Sequence, residues 1–331
     1  MKNLGYVFKR LLDMDYKAML QKVNSIHKKT DRSRLSLLWD MQRCATNYGA
    51  GYMDYDLFEM YDLTPEQRDT YLTRGRNNAL IKKYNNYDYG SCFVNKAEFN
   101  TRFAEFIHRD WVMLADKEKA LAFMQKQKCF IAKPLDGCCG RGIEKLDLAD
   151  FDNDAQKAYD FLAATGAQYE LEELIVQHSA VSAVYPHAIN TVRTVTINTG
   201  TQVHVICTYF RIGNNGRHVD NFNSGGMVAP VDEKTGIVSD RAIDKQKNLY
   251  AEHPMTATPI CGFQFPDWEK AMDMVKKAAT VVPEMGYIGW DVAFAESGPC
   301  LVEGNDFPGH DIYQLPEHTP NKIGMMPKFQ V

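Results

Sequence analysis

The stretch Gly289-Trp290-Asp291-Val292-Ala293-Phe294-Ala295-Glu296-Ser297-Gly298-Pro299-Cys300-Leu301-Val302-Glu303-Gly304-Asn305 reads as two strands joined by a tight turn at Glu296-Ser297-Gly298. An antiparallel pair of this kind brings Asp291 near Glu303, and the two-residue period puts Glu303 and Asn305 on one face. Two carboxylates and an amide oxygen are hard donors. Mg²⁺ takes such a set when substrate phosphates complete its octahedron. A solvated strand end is the alternative, but Asp291 stands among Trp290, Val292, Ala293 and Phe294, which argues against full exposure.

Upstream, other short β-branched runs alternate with helical periods. Strands are expected at Cys129–Lys133, Tyr169–Gln177, Thr191–Asn198, Val203–Phe210, Tyr287–Ala295 and Pro299–Glu303, and helices at Lys96–Arg109, Lys117–Gln127, Asp154–Thr165 and Trp268–Val281. This mixture indicates an α+β body. Before it lie helical pieces, among them Thr64-Pro65-Glu66-Gln67, which reads as an N-cap, a proline at the first helical position and a capping-box partner. The Asn- and Tyr-rich connection Lys82 to Gly90 marks a boundary, giving expected regions 1–90, 91–176 and 177–331.

Several groups suit an anionic ligand. Phe130-Ile131-Ala132-Lys133-Pro134 runs into a loop holding Gly137, Gly140 and Gly142; Pro134 keeps Lys133 extended, and the glycines let backbone N–H groups converge on a polyphosphate. The spacing matches neither a P-loop nor a dinucleotide fingerprint, and a ligand-free turn is the alternative. Asn95 and Glu98 read as a cap and its partner, followed by the apolar stripe Phe99, Phe103, Phe106 and Ile107. Lys96 then falls at a helix start, where an anion would offset the unfavourable macrodipole and a solvent-facing lysine is the plain reading. The acidic run Tyr169 to Gln177 suits either an exposed edge or an adenine and ribose site. Arg193 shares a face with Val195 and Ile197, and the same parity aligns Arg211 with Val203, Val205, Cys207 and Tyr209. Two such arginines clamp a phosphate or carboxylate, or form structural ion pairs.

In this order the lysine at a helix start, the lysine before a glycine-rich loop, the acidic run, the arginine strand and the Asp…Glu-x-Asn strand pair resemble the ATP-grasp superfamily. VQHSAVSAVYPHAINTVRTVTI (176–197), VDNFNSGG (219–226) and GWDVAFAESGPCLVEGN (289–305) are similar to the sugar-transfer-associated ATP-grasp family, related to α-L-glutamate ligases, over about Arg34 to Asp306. Ala188, where the family commonly carries Ser, and the adjacent Cys138 and Cys139 depart from its pattern.

The resemblance implies an ATP-grasp fold, two α+β subdomains gripping ATP, behind a helical N-terminal extension. It implies that Lys96, Lys133, Gly137, Gly140 and Gly142 hold the phosphates, that Glu172, Glu173 and Ile175 form the adenine hinge, and that Gln177 and His178 lie near the ribose. Asp291, Glu303 and Asn305 would bind Mg²⁺ or Mn²⁺, and Arg193, Arg211, Asn221, Ser224, Gly225 and Gly226 would face the γ-phosphate and the acceptor carboxylate. The implied activity is an ATP- and Mg²⁺-dependent carboxylate–amine ligase that forms an amide through an acyl phosphate, in cell-surface polysaccharide synthesis. Its partners would be a saccharide or small-molecule carboxylate and an amine such as an amino acid. Phosphotransfer to a hydroxyl and a non-catalytic nucleotide-binding scaffold are the alternatives.

Composition excludes other classes. At 331 residues, with 45% hydrophobic and 24% charged residues, the chain has ample material for a core. A net charge of -4 argues against duplex binding. Eight cysteines without metal or disulfide rhythm suit a reducing cytosol, and no apolar run reaches membrane-spanning length. Residues 1–34 carry nine Lys or Arg against three Asp, at amphipathic helical spacing. That head reads as a solvated helix face or as a peripheral contact with the anionic inner face of a membrane.

Overall fold

The computed structural model describes residues 15–135 and 142–331. Its strands are β1 (Trp111–Met113), β2 (Cys129–Pro134), β3 (Glu144–Asp147), β4 (Tyr169–Glu173), β5 (Thr191–Asn198), β6 (Val203–Ile212), β7 (Met227–Val231), β8 (Ala242–Ile243), β9 (Leu249–Tyr250), β10 (Tyr287–Ala295) and β11 (Gly298–Asn305). They build a four-stranded sheet, β1-β4-β2-β3, and a seven-stranded sheet, β11-β10-β5-β6-β7-β8-β9, with every pairing antiparallel.

Chain contacts divide the molecule into two units, 1–80 with 310–330, and 81–309 with Val331. In the first, the helices Tyr16–Thr30, Arg34–Tyr48 and Tyr52–Leu57 bury Val23, Ile26, Leu37, Met41, Cys44 and Tyr55. The Thr64 capping box forms as read. The segment from His310 belongs to this unit, and its Nε2 meets Asp54 Oδ1 at 2.9 Å while Gln314 hydrogen-bonds both the N–H and the carbonyl of Leu72. Local pattern groups 177–331 as one region; these contacts join residues 242 and 256 positions apart, which leave no local pattern.

The second unit holds both sheets. On the small sheet the two-residue period is clean. Phe130, Ala132, Tyr169 and Leu171 pack against the helices Lys117–Gln127 and Ala155–Ala164 through Phe123, Met124, Ala158 and Leu162. Glu170 and Glu172 therefore point to the opposite face. β4 ends at Glu173, short of the expected Gln177, because its ladder with β2 ends where Glu173 pairs Phe130. The chain then crosses to the large sheet, where Gln177 bridges Ala295.

The expected helix Lys96–Arg109 is two helices, Lys96–Arg102 and Ala104–Ile107, interrupted at Phe103. Phe99, Phe103, Phe106 and Ile107 are all buried in the core of the large sheet with Trp290, Val292 and Leu301. The Phe103 and Trp290 ring centroids are 5.5 Å apart. Burial of each such side chain stabilises the docking by roughly 1.5–3 kcal/mol. That anchoring fixes the helix start that carries Lys96.

Candidate active site

Asn95 caps the Lys96–Arg102 helix, its side chain accepting from the N–H groups of Ala97 and Glu98. Lys96 Nζ donates to the carbonyls of Pro134 (2.9 Å) and Leu135 (3.4 Å). It therefore sits where β2 opens into the glycine-rich segment. Gly137 and Gly140 lie outside the described residues. Gly142, which closes that segment, has φ +71°, and a Cβ there would come within 3.0 Å of Pro134.

Lys133 leaves β2 on the acidic face and donates to Glu172 Oε2 at 2.6 Å. Glu172 is buried in β4 and shared. Arg109 gives its Nε to Oε2 (2.8 Å) and Nη2 to Oε1 (3.3 Å), and Asn100 Nδ2 donates to Oε1 at 3.2 Å. Arg109 and Lys133 hold the Glu172 carboxyl well below the usual range, although burial opposes them. Beside it Glu170 is wholly buried, and no donor among the described residues reaches either oxygen. Burial first, and then the neighbouring Glu172, push Glu170 up to about 8. With Glu170 protonated, Arg109 and Lys133 outweigh Glu172, leaving a positive cluster suited to a polyphosphate.

The second half of the site lies on β10, β11, β5 and β6. Asp291 pairs directly with Glu303 across the β10–β11 ladder, as the opening motif requires, and the register shifts beside it so that Val302 is the extra residue of a bulge. Asn305 Nδ2 donates to Glu303 Oε1 and to the Gly289 carbonyl, both at 3.3 Å. Arg193 donates through Nε and Nη2 to the two oxygens of Asp291, and Arg211 Nη1 reaches Oδ2 at 2.5 Å. Arg211 Nη2 continues to Asp220 Oδ1 at 3.0 Å, and Asp220 accepts from the backbone and hydroxyl of Thr191. Against the cost of burial, Arg193 and Arg211 keep Asp291 far below the ordinary carboxylate range. Crowding of its carboxyl group in the cluster and the adjacent Asp291 push Glu303 up, although the residue as a whole stands exposed at the strand end. Burial raises Asp220 as well.

The facing arginines confirm one parity and correct another. Arg193 pairs Tyr209, and Arg211 pairs Thr191, so both guanidinium groups leave one face. A register shift in the β5–β6 ladder makes Ile206 an extra residue, and Val203 and Val205 pack instead against the main core. A one-residue bulge reverses every side chain on its far side.

The remaining sequence candidates are dispersed around these two clusters. Glu173 Oε2 accepts from the Asp110 N–H at 3.0 Å, and Ile175 packs on Ala293, Ala295 and Cys300. Gln177 accepts from Asn190 and donates to the Tyr185 carbonyl, while His178 caps the helix Ser179–Val184. Asn221 caps the turn Phe222–Ser224, and Gly225 follows at φ +96°. Gly226 lies so close to the Asp220 and Ile212 carbonyls that a Cβ would approach them to 2.5 and 2.9 Å. Arg109, Asp220 and Glu170 were missed. For Arg109 a signal existed, since it follows the apolar stripe Phe106 and Ile107 as Arg193 follows Val192.

The donor set Asp291, Glu303 and Asn305 fits a hard divalent cation. Here two cations, Arg193 and Arg211, face three carboxylates, Asp291, Asp220 and Glu303, and the deficit favours a further positive charge. Among the described residues no group of three or more His, Cys, Asp or Glu side chains is placed to hold a metal ion, so the set here is two carboxylates and an amide oxygen.

The mixed helix-and-sheet body with its two antiparallel sheets is that of an ATP-grasp protein, of the fold class of ATP-dependent ligases. The model of the sugar-transfer-associated ATP-grasp family matches residues 75–328, and this chain belongs to that family. The match begins later than the expected Arg34 and runs past Asp306 to include the C-terminal segment. No curated protein matches the chain. Among solved structures, D-alanyl-alanine synthetase A from Vibrio cholerae is similar at 14% identity and TM-score 0.44, over 73% of this chain and 64% of that one. The ATP-grasp ligase PsnB, complexed with its minimal precursor, Mg and ADP, is similar at 16% identity and TM-score 0.40, over 66% of this chain and 52% of that one. An N5-carboxyaminoimidazole synthase from Aspergillus clavatus gives 12% identity and TM-score 0.42, over 70% and 50%. The chain thus spans roughly half to two thirds of these proteins.

Proposed function

We propose that this protein is an ATP- and Mg²⁺-dependent carboxylate–amine ligase. The observation that carries the reading is the pairing of two unlike clusters in one unit: Lys96 and Lys133 at the end of β2, and the directly opposed Asp291 and Glu303. A divalent cation, when bound, would supply charge neutralisation at the phosphates. Lys96 and Lys133 hold the ATP phosphates, and Lys133 leaves Glu172 to do so. Asp291, Glu303 and Asn305 hold the metal, with Asp291 shared with its two arginines. Arg193, Arg211 and the loop Asn221 to Gly226 orient the acceptor carboxylate.

The carboxylate oxygen attacks the γ-phosphorus, the bond to the β–γ bridging oxygen breaks, and ADP departs. The amine nitrogen then attacks the acyl carbon, phosphate leaves with the bonding pair, and the amine gives up a proton. Positioning and charge neutralisation suffice for both steps, so no nucleophilic side chain is needed. The family's association with sugar transfer supports a carboxylate-bearing saccharide as acceptor, an amino acid as amine and a place in cell-surface polysaccharide synthesis. The basic N-terminal head supports peripheral contact with the inner membrane face.

An ADP-release screen of sugar acids against amino acids, with mass detection of the coupled product, tests the reading. An amide product supports it. A phosphorylated product formed without any amine would make the protein a phosphotransferase, and nucleotide binding without ADP release under any mixture would make it a scaffold.

A further inference from the structure

Arg109 is the buried residue that the nucleotide and metal assignments leave unused. Its side chain is 2% exposed, and its guanidinium spans two sheets. On one side it grips both oxygens of Glu172, the partner of Lys133. On the other, Nη1 donates to the Leu301 carbonyl at 2.6 Å and Nη2 to the Val302 carbonyl at 3.3 Å. Val302 is the bulge residue immediately before Glu303.

We infer that Arg109 is a positioning residue that couples the phosphate-binding lysine to the metal-binding strand. This rests on the nucleotide and metal reading above. A planar fork satisfies this geometry, because Arg109 makes five hydrogen bonds, including one to the Ile107 carbonyl, and an ammonium group has only three donors. By pinning the carbonyls on the bulge, Arg109 fixes the twist that aims Glu303 at Asp291. By taking most of the Glu172 charge, it allows Lys133 to leave that carboxylate for a phosphate.

Calorimetric titration of the full chain with ADP, with and without Mg²⁺, tests the coupling. The readout is the ratio of the two dissociation constants in wild type and in R109K. In wild type Mg²⁺ is expected to tighten ADP binding. In R109K that ratio falls at least fivefold, and in an E303Q background R109K lowers it no further. A role confined to folding would lower the melting temperature and leave the ratio intact, which overturns the inference. If R109K does not fold, hydrogen exchange on wild type decides. Adding Mg²⁺ to the ADP complex should slow exchange both at Val302–Asn305 and at His108–Trp111; protection of the first segment alone overturns the coupling. A wild-type chain that binds ADP neither with nor without Mg²⁺ would instead overturn the nucleotide reading itself.

Discussion

Glu170 shows how one buried carboxyl sets the charge of its surroundings. Its folded pKa, about 8, lies above the ordinary Glu value of 4.5 because burial and Glu172 penalise the ion. A raised acid binds more protons folded than unfolded, so its contribution is fully present below pH 4.5 and lost as pH rises through 8. In urea titrations the E170Q variant should gain on wild type between pH 5 and 8, by up to about 1.4 kcal/mol per pH unit. A difference that stays flat with pH would contradict this. At the other cluster, Asp291→Asn removes the shared anion of Arg193 and Arg211. Breaking a buried pair costs roughly 3–5 kcal/mol, and Mg²⁺-dependent ADP binding should fall at least tenfold. Lys133→Ala should weaken ADP with or without metal. Unchanged affinity in both variants would show that the site lies elsewhere.

Among the elements, the Lys96–Arg102 helix and the β10–β11 pair carry the geometry. The cap is Asn95, and Asn95→Ala should cost about 1 kcal/mol of stability. It should also weaken ADP binding several-fold by loosening the turn that presents Lys96; calorimetry with a matched melting curve separates the two effects. In the loop after β6, Gly226→Ala places a methyl group 2.5 Å from the Asp220 carbonyl oxygen. The backbone must shift, at a cost of roughly 1–3 kcal/mol, and the Asp220–Arg211 pair should move with it. A melting temperature equal to wild type would show the loop to be adaptable. At this scale sequence reading succeeded where a period of two or a cap was written locally. Thr191–Asn198, Tyr287–Ala295 and Lys117–Gln127 were all placed residue for residue. It missed β1, β3, β7, β8 and β9, short strands that pair without a sustained alternation.

Over the whole molecule, the C-terminal segment completes the N-terminal helical unit. Truncation after Gly309 removes His310 from Asp54 and Gln314 from Leu72, leaving buried polar groups unpaired. Limited proteolysis should then cut within 1–80 while 81–309 persists; equal resistance of both regions would contradict this. Among the described residues no helix is long and apolar enough to cross a membrane. The part of the basic head before residue 15 lies outside those described.

By itself, the sequence determined the α+β composition, the caps, the strand carrying Lys133 and the opposition of Asp291 to Glu303, because each depends on neighbours within one hairpin or one helical turn. Only the tertiary structure decided the partners. Glu172 is the shared anion of Arg109 and Lys133, Asp291 that of Arg193 and Arg211, and Glu170 a carboxyl that burial pushes up. Charge in a buried site is settled by desolvation and by groups brought in from other strands. Neither is written in the spacing of residues along the chain.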